Sequence, residues 1–241
     1  MEEVIIFDLD DTLLITSPIY KEVRIKFANY MHKLGLSDFD QALCLLESID
    51  WENRKSYGIS LKRLPDSMFQ TYCLLCEKSN QKVSIYNKEI FSKFFKIIYK
   101  HIYIPVPGAL ELLDNLKSRG YKLLLYTRGE KNLQQKKISM NNLSKYFFNI
   151  AIVEEKSDKE LETLIEKNGL IPEMTWMVGD EIKSDIEPAI KKGLKPIFFS
   201  GYHDSEPKLN IDKSFYQIDS LMQVLDILGD GSQCLSKTSL V

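Results

Sequence analysis

Residues 4–14 read VIIFDLDDTLL: four apolar residues, then acids at Asp8, Asp10 and Asp11. A short apolar run that ends on acids suits a parallel strand buried on both faces, its carboxyl end opening onto a polar site. One such strand cannot form a sheet alone, and no strand pattern follows at once. From about residue 17 to residue 100 the apolar positions recur at helical spacing. Val23, Phe27, Tyr30 and Leu34 share one face, as do Leu43, Leu46 and Ile49, then Met68, Tyr72 and Leu75, then Ile90, Phe94, Ile97, Ile98 and His101. Four helices are predicted there.

From residue 104 a second rhythm begins. Helices are predicted at 107–119, 131–140, 158–167 and 182–192, alternating with strands at 121–126, 150–153, 175–178 and 196–199. A sixth strand at 215–218 and a helix at 220–228 close the series. This alternation predicts right-handed β-α-β units and a parallel sheet covered on both faces, which the strand at 4–7 must join. The expected fold is α/β: a Rossmann-like, three-layer α/β/α core from residues 1–15 and 104–228, with an α-helical cap at 16–103. The small, polar residues 229–241 are expected to form a flexible tail. The cap enters at the carboxyl edge of the first strand, where open α/β sheets bind ligands. It is placed like a lid.

With 32 basic and 34 acidic side chains, the formal charge of −2 gives no electrostatic reason to expect nucleic acid or a membrane as partner. The acidic MEEVIIF start does not suit a signal peptide, and no run of about 18 apolar residues occurs, so a cytoplasmic protein is expected. Cys73 and Cys76 form a C-x-x-C in a helical run, but no second ligand pair follows at zinc spacing. Cys44 and Cys234 stand alone, and His32, His101 and His203 are scattered, so reduced thiols and no histidine metal site are expected.

Asp8 and Asp10, two apart after a strand, place two carboxylates on one side if the extended geometry persists. Such a pair needs a cation or a shared proton, and a hard divalent ion with oxygen ligands satisfies it. The alternative is a turn rich in capping residues. Three further polar positions follow predicted strands. Thr127 ends LLLYT and suits a phosphoryl oxygen or a helix N-cap equally; Arg128 beside it reads as a solvated side chain. Lys156 offers a fixed ammonium in a loop, with Lys159 competing one helical turn later. In WMVGDEIKSD, Gly179 permits a sharp turn, Asp180 points at the carboxyl edge, and Asp185 either orients a metal, holds Lys156 or caps a helix.

These residues resemble the haloacid dehalogenase-like hydrolase superfamily, in its phosphatase branch with a helical cap after the first motif. The D-x-D-x-[TV] pattern stands as Asp8, Asp10 and Thr12, followed by Thr127, Lys156 and Gly179-Asp180 through Asp185. The resemblance implies a magnesium-dependent phosphatase of small phosphate esters. Asp8 is then the nucleophile, Asp10 the acid and base, and Thr127 and Lys156 the holders of phosphate. Magnesium would be bound by Asp8, the Asp10 main-chain carbonyl and Asp180, with Thr12, Arg128, Gly179 and Asp185 in support. An aspartate at position 10 argues for a phosphate ester over a haloacid, since a halide needs no proton. It leaves a phosphomutase open, as well as an idle phospho-ligand-binding protein. The segment 51–58, WENRKSYG, is expected to join two cap helices and to face substrate, with Tyr20, Asn53 and Tyr57 as candidate contacts.

Overall fold

A computed structural model describes residues 3–58, 60, 62–201 and 215–229. The strands are β1 (Val4–Phe7), β2 (Lys122–Arg128), β3 (Asn149–Val153), β4 (Thr175–Gly179), β5 (Lys195–Phe199) and β6 (Tyr216–Ile218). They form one parallel sheet in the order β3-β2-β1-β4-β5-β6, with β1 central. The apolar run at 4–7 follows from that place. Ile5 and Phe7 face one core cluster and Val4 and Ile6 the other, so both faces are buried.

The helices are α1 (Ser17–Lys33), α2 (Phe39–Tyr57), α3 (Arg63–Lys78), α4 (Tyr86–Lys100), α5 (Ala109–Ser118), α6 (Lys131–Met140), α7 (Asp158–Asn168), α8 (Glu187–Lys191) and α9 (Val224–Gly229). Leu112, Leu116, Leu133, Ile138 and Val224 bring α5, α6 and α9 onto one face of the sheet. Leu161, Leu164 and Ala189 bring α7 and α8 onto the other. The result is a three-layer α/β/α core, with the four helices α1–α4 inserted after β1.

The inserted helices close around their own apolar centre. Phe91 is fully buried, with its ring 5.2 Å from Phe27, 5.8 Å from Tyr72 and 6.2 Å from Tyr30, all edge-on. Burying a phenylalanine contributes roughly 1.5–3 kcal/mol, and edge-to-face partners add to it. Asp38 starts α2 by accepting from the Gln41 N–H at 2.7 Å, an N-cap bond. The chain segments that enter and leave the insertion are held side by side: Ile15 N–H donates to the Ile104 carbonyl (3.0 Å) and Val106 N–H to the Leu13 carbonyl (2.9 Å).

Several boundaries differ from the sequence expectation. The strand expected at 121–126 continues to Arg128, carrying Thr127 to its end. The helix expected at 182–192 begins as a π-helical turn (Ile182–Ile186) before α8, because the Asp185 side chain occupies the strand-to-helix corner. The segment expected as a connector at 51–58 is the C-terminal part of α2 as far as Tyr57, with Gly58 at its end in a positive-φ conformation. Leu34, expected on a buried face, lies past the end of α1 and is exposed. The helix expected at 220–228 is a 3₁₀ turn (Leu221–Gln223) followed by α9. Cys44, Cys73 and Cys76 are free thiols. Cys234, His203 and residues 230–241 lie outside the described residues. Among the described residues, no helix is long and apolar enough to cross a membrane.

Candidate active site

The sheet register assembles the site. Phe7 pairs with both Leu125 and Val178, so the residues just beyond these three positions converge on one edge. Asp8 continues β1 and donates its N–H to the Val178 carbonyl at 2.9 Å. The chain then turns at once, with the N–H groups of Leu13 and Leu14 both reaching the Leu9 carbonyl at 2.9 Å. Asp11 adopts φ 59, unusual for a residue with a side chain. Its carboxylate accepts from Thr16 N–H (2.9 Å), Ser17 N–H (2.8 Å) and the Ser17 hydroxyl, closing the turn onto the start of α1. The turn-and-cap reading of DLDDT therefore describes Asp11, and Asp8 and Asp10 are left to other partners.

Asp8, Asp180 and Asp185 form a buried trio whose carboxylate oxygens lie within 4.8 Å of one another. Thr12 sits between two of them, its hydroxyl 3.1 Å from Asp180 Oδ1 and 3.5 Å from Asp8 Oδ2. The Lys156 ammonium is buried against Asp8 and lies 2.6 Å from Asp185 Oδ1, with the Tyr126 ring beneath it at 5.3 Å. Lys159, the competing lysine, is exposed on α7. Asp185 Oδ2 accepts the Glu181 N–H at 3.1 Å. A Cβ on Gly179 would stand 2.6 Å from the Asp185 Cβ, so no larger residue fits that corner unless Asp185 moves.

Three buried carboxylates crowd around one ammonium, so acids outnumber the cation within this cluster. Burial pushes the Asp8 carboxyl well above the usual range; Lys156 opposes this, while Asp185, Asp180 and Asp10 add to it. Asp185 is likewise raised by burial, opposed by Lys156 and reinforced by Asp180. Burial disfavours the Lys156 charge, but Asp185 and Asp8 outweigh it and hold the ammonium above the usual lysine range. An all-oxygen donor set carrying this excess charge fits a hard divalent cation.

The Asp10 side chain is not in the trio. Its Oδ1 lies 2.6 Å from the Lys137 ammonium and its Oδ2 accepts from the Gln134 amide at 2.8 Å. The same amide nitrogen reaches Thr127 Oγ1 at 2.7 Å. Thr127 is fully buried, and the cap of α6 is Glu130, whose carboxylate accepts the Leu133 N–H at 2.8 Å. The threonine hydroxyl is thus not the helix cap. Sequence reasoning missed Gln134 and Lys137, although a signal was present: in KNLQQKKISM they stand beside Leu133 and Ile138, at core-facing positions of α6.

Around this centre, Arg128 pairs with Glu181 (2.9 Å) and Glu155 (3.5 Å) instead of standing free in solvent. Tyr20 on α1 is raised by burial, and its hydroxyl feels Lys137, Asp10, Arg24 and Arg63. Within the insertion, Asp50 is buried between Arg24 (3.3 Å) and Arg63 (3.0 Å). Asn53 is buried in the α2–α3 seam, where its amide donates to Ser67 Oγ (3.0 Å) and Gln70 Oε1 (3.1 Å). Its amide donors are used inside the helical insertion. Tyr57 ends α2, and its side chain lies outside the described residues.

Comparison with known proteins agrees with this geometry. Residues 5–199 match the haloacid dehalogenase-like hydrolase family profile. A glyceraldehyde 3-phosphate phosphatase from Pyrococcus furiosus is 31% identical over 239 residues, covering 94% of this chain and 92% of that protein. A haloacid dehalogenase-like family hydrolase from Xanthomonas campestris has a similar structure, with a TM-score of 0.77 at 22% identity, over 96% of this chain and 95% of that one. YfnB from Bacillus subtilis, whose magnesium-bound structure reveals interdomain movement, gives 0.68 at 16% identity, over 95% and 100% of the two chains.

Proposed function

This chain belongs to the haloacid dehalogenase-like hydrolase family, and from that premise we propose that it is a divalent-metal-dependent phosphatase of small phosphate monoesters. The observation that carries the reading is the division of labour among its acids. Asp8, Asp180 and Asp185 share one buried centre with Lys156, while Asp10 is held apart by Lys137 and Gln134. One group faces a cation and phosphorus, and the other is left to move protons.

In this reading a magnesium ion would be held by the carboxylates of Asp8 and Asp180 and the main-chain carbonyl of Asp10, and would neutralise phosphate beside the nucleophile. An Asp8 oxygen attacks phosphorus and the ester P–O bond breaks, giving an aspartyl-phosphate. Asp10 gives its proton to the departing oxygen, then takes one from the water that attacks the intermediate. Thr127 and Lys156 hold the equatorial oxygens, since phosphoryl transfer depends chiefly on placement and electrostatics. Asp185 fixes Lys156. The helical insertion at 16–103 acts as the lid over this edge, with Tyr20 as its contact toward the leaving group.

The substrate class follows from that chemistry and from the relative's phosphorylated triose: a small alcohol esterified to phosphate. The test is phosphate release from an aryl phosphate and a panel of sugar and triose phosphates, with magnesium or with chelator. Turnover should require the metal, and Asp8→Asn should lower it on the order of 10⁴-fold or more. Metal-independent release, or full activity in Asp8→Asn, would overturn the assignment.

A further inference from the structure

Lys137 is 1% exposed at its side chain, and its ammonium lies 2.6 Å from Asp10 and 4.7 Å from the Tyr103 ring centre. Burying an ammonium costs several kcal/mol unless a partner offsets it, so this lysine is held by Asp10 as firmly as it holds Asp10. Gln134 is equally buried and takes the other carboxylate oxygen. A carboxylate accepts only, so the nitrogen end of the Gln134 amide faces Asp10, and its second hydrogen is shared between Thr127 Oγ1 at 2.7 Å and the Arg128 carbonyl at 3.2 Å. Thr127 then accepts from the glutamine and keeps its own hydrogen to donate. Gly129 makes room: a Cβ there would stand 2.6 Å from Gln134 Cδ.

We propose that Lys137 and Gln134 are positioning residues that clamp both oxygens of Asp10, dedicating this carboxyl to the leaving-group oxygen and keeping it out of the acidic trio two residues away. Gln134 also aims the Thr127 hydroxyl at phosphate, so one amide sets the geometry of both. The inference rests on the phosphatase reading and deepens it. In the first half-reaction the Asp8–phosphorus bond forms as the ester bond breaks, and the Asp10 proton goes to the departing oxygen. In the second, water oxygen bonds to phosphorus, the Asp8–phosphorus bond breaks, and Asp10 recovers a proton from that water. A clamp on Asp10 matters in the first half only as far as the leaving group needs a proton.

The test is kcat/KM across 2,4-dinitrophenyl phosphate, phenyl phosphate and an alkyl phosphate, for wild type, Lys137→Met, Lys137→Arg and Gln134→Leu. A misplaced general acid forfeits roughly 10–100-fold where proton transfer is required. Lys137→Met should therefore lose at least about ten times more on phenyl and alkyl phosphates than on the dinitrophenyl ester, whose leaving group departs as an anion. Lys137→Arg should recover part of that difference, because it restores a charged donor. If Lys137→Met does not fold, Gln134→Leu tests the same clamp from the second oxygen. Equal losses along the series would overturn the inference, because they would make Lys137 a general phosphate-binding charge or a packing residue. An inactive wild type would instead sink the phosphatase reading itself.

Discussion

Replacing Lys156 with methionine removes the cation that pairs with both Asp8 and Asp185, and strips these two buried carboxylates of the ammonium between them. Breaking a buried ion pair from one side costs about 3–5 kcal/mol, most of it from the stranded charge. For a chain of this size each kcal/mol shifts Tm by roughly 2–4 °C, so a fall of about 6–20 °C is expected at neutral pH. The pH dependence gives the cause away. Asp8 and Asp185 are raised above the usual carboxylate range, so what they add to stability is present below that range and is lost as pH climbs through their raised values. Lys156 is raised as well, so its contribution is intact below the ordinary lysine value and vanishes only in strong alkali. The cost of Lys156→Met should therefore be larger near about pH 8 than near about pH 4, because protonating the raised acids removes the charge that the lysine offsets. Thermal unfolding of both proteins in chelator, over that range, measures it. Excess magnesium should return part of the loss. An equal fall at both pH values would mean that Lys156 acts by packing, and the electrostatic account of the site would be wrong.

Magnesium must displace a proton from the raised carboxyl of Asp8, so its stabilisation of the wild type should grow as pH rises from acid to neutral; a rise in Tm that ignores pH would contradict this. Gly179→Ala forces a Cβ into Asp185 and should cost about 1–3 kcal/mol while weakening magnesium binding, as followed by melting at graded metal concentrations. Phe91→Ala empties the centre of the α1–α4 bundle and should destabilise by about 3–5 kcal/mol in denaturant melts, well above the roughly 0.5 kcal/mol of a surface change.

The sheet was legible because its strands are apolar without alternation and are punctuated by helices, a pattern that two-sided burial alone explains. The four inserted helices were legible from their periodic faces. Their ends were not: the connector expected at 51–58 stays helical because nothing in WENRKSY breaks a helix before Gly58. At the site, residues that directly follow an apolar strand stood out, which is why Asp8, Asp10, Thr127 and Asp180 were visible. Lys156 was visible but not separable from Lys159, since only packing decides which lysine turns inward. Gln134 and Lys137 were passed over because a polar residue on a helix reads as solvated until its neighbours at core spacing are weighed. What the sequence did not reveal about Asn53 is that its amide nitrogen closes a seam between two helices.

The proposed chemistry turns on a phosphoryl group carried on one aspartate. Asp10→Asn, which lacks the base for the second step, should accumulate that species when given magnesium and a good-leaving aryl phosphate, and rapid acid quench with peptide mass analysis reads where it sits. The expected result is one added phosphoryl group on the peptide bearing Asp8, absent when Asp8 is also changed to asparagine. Aryl phosphate consumed with no phosphorylated peptide, or the group found on any other residue, would contradict it.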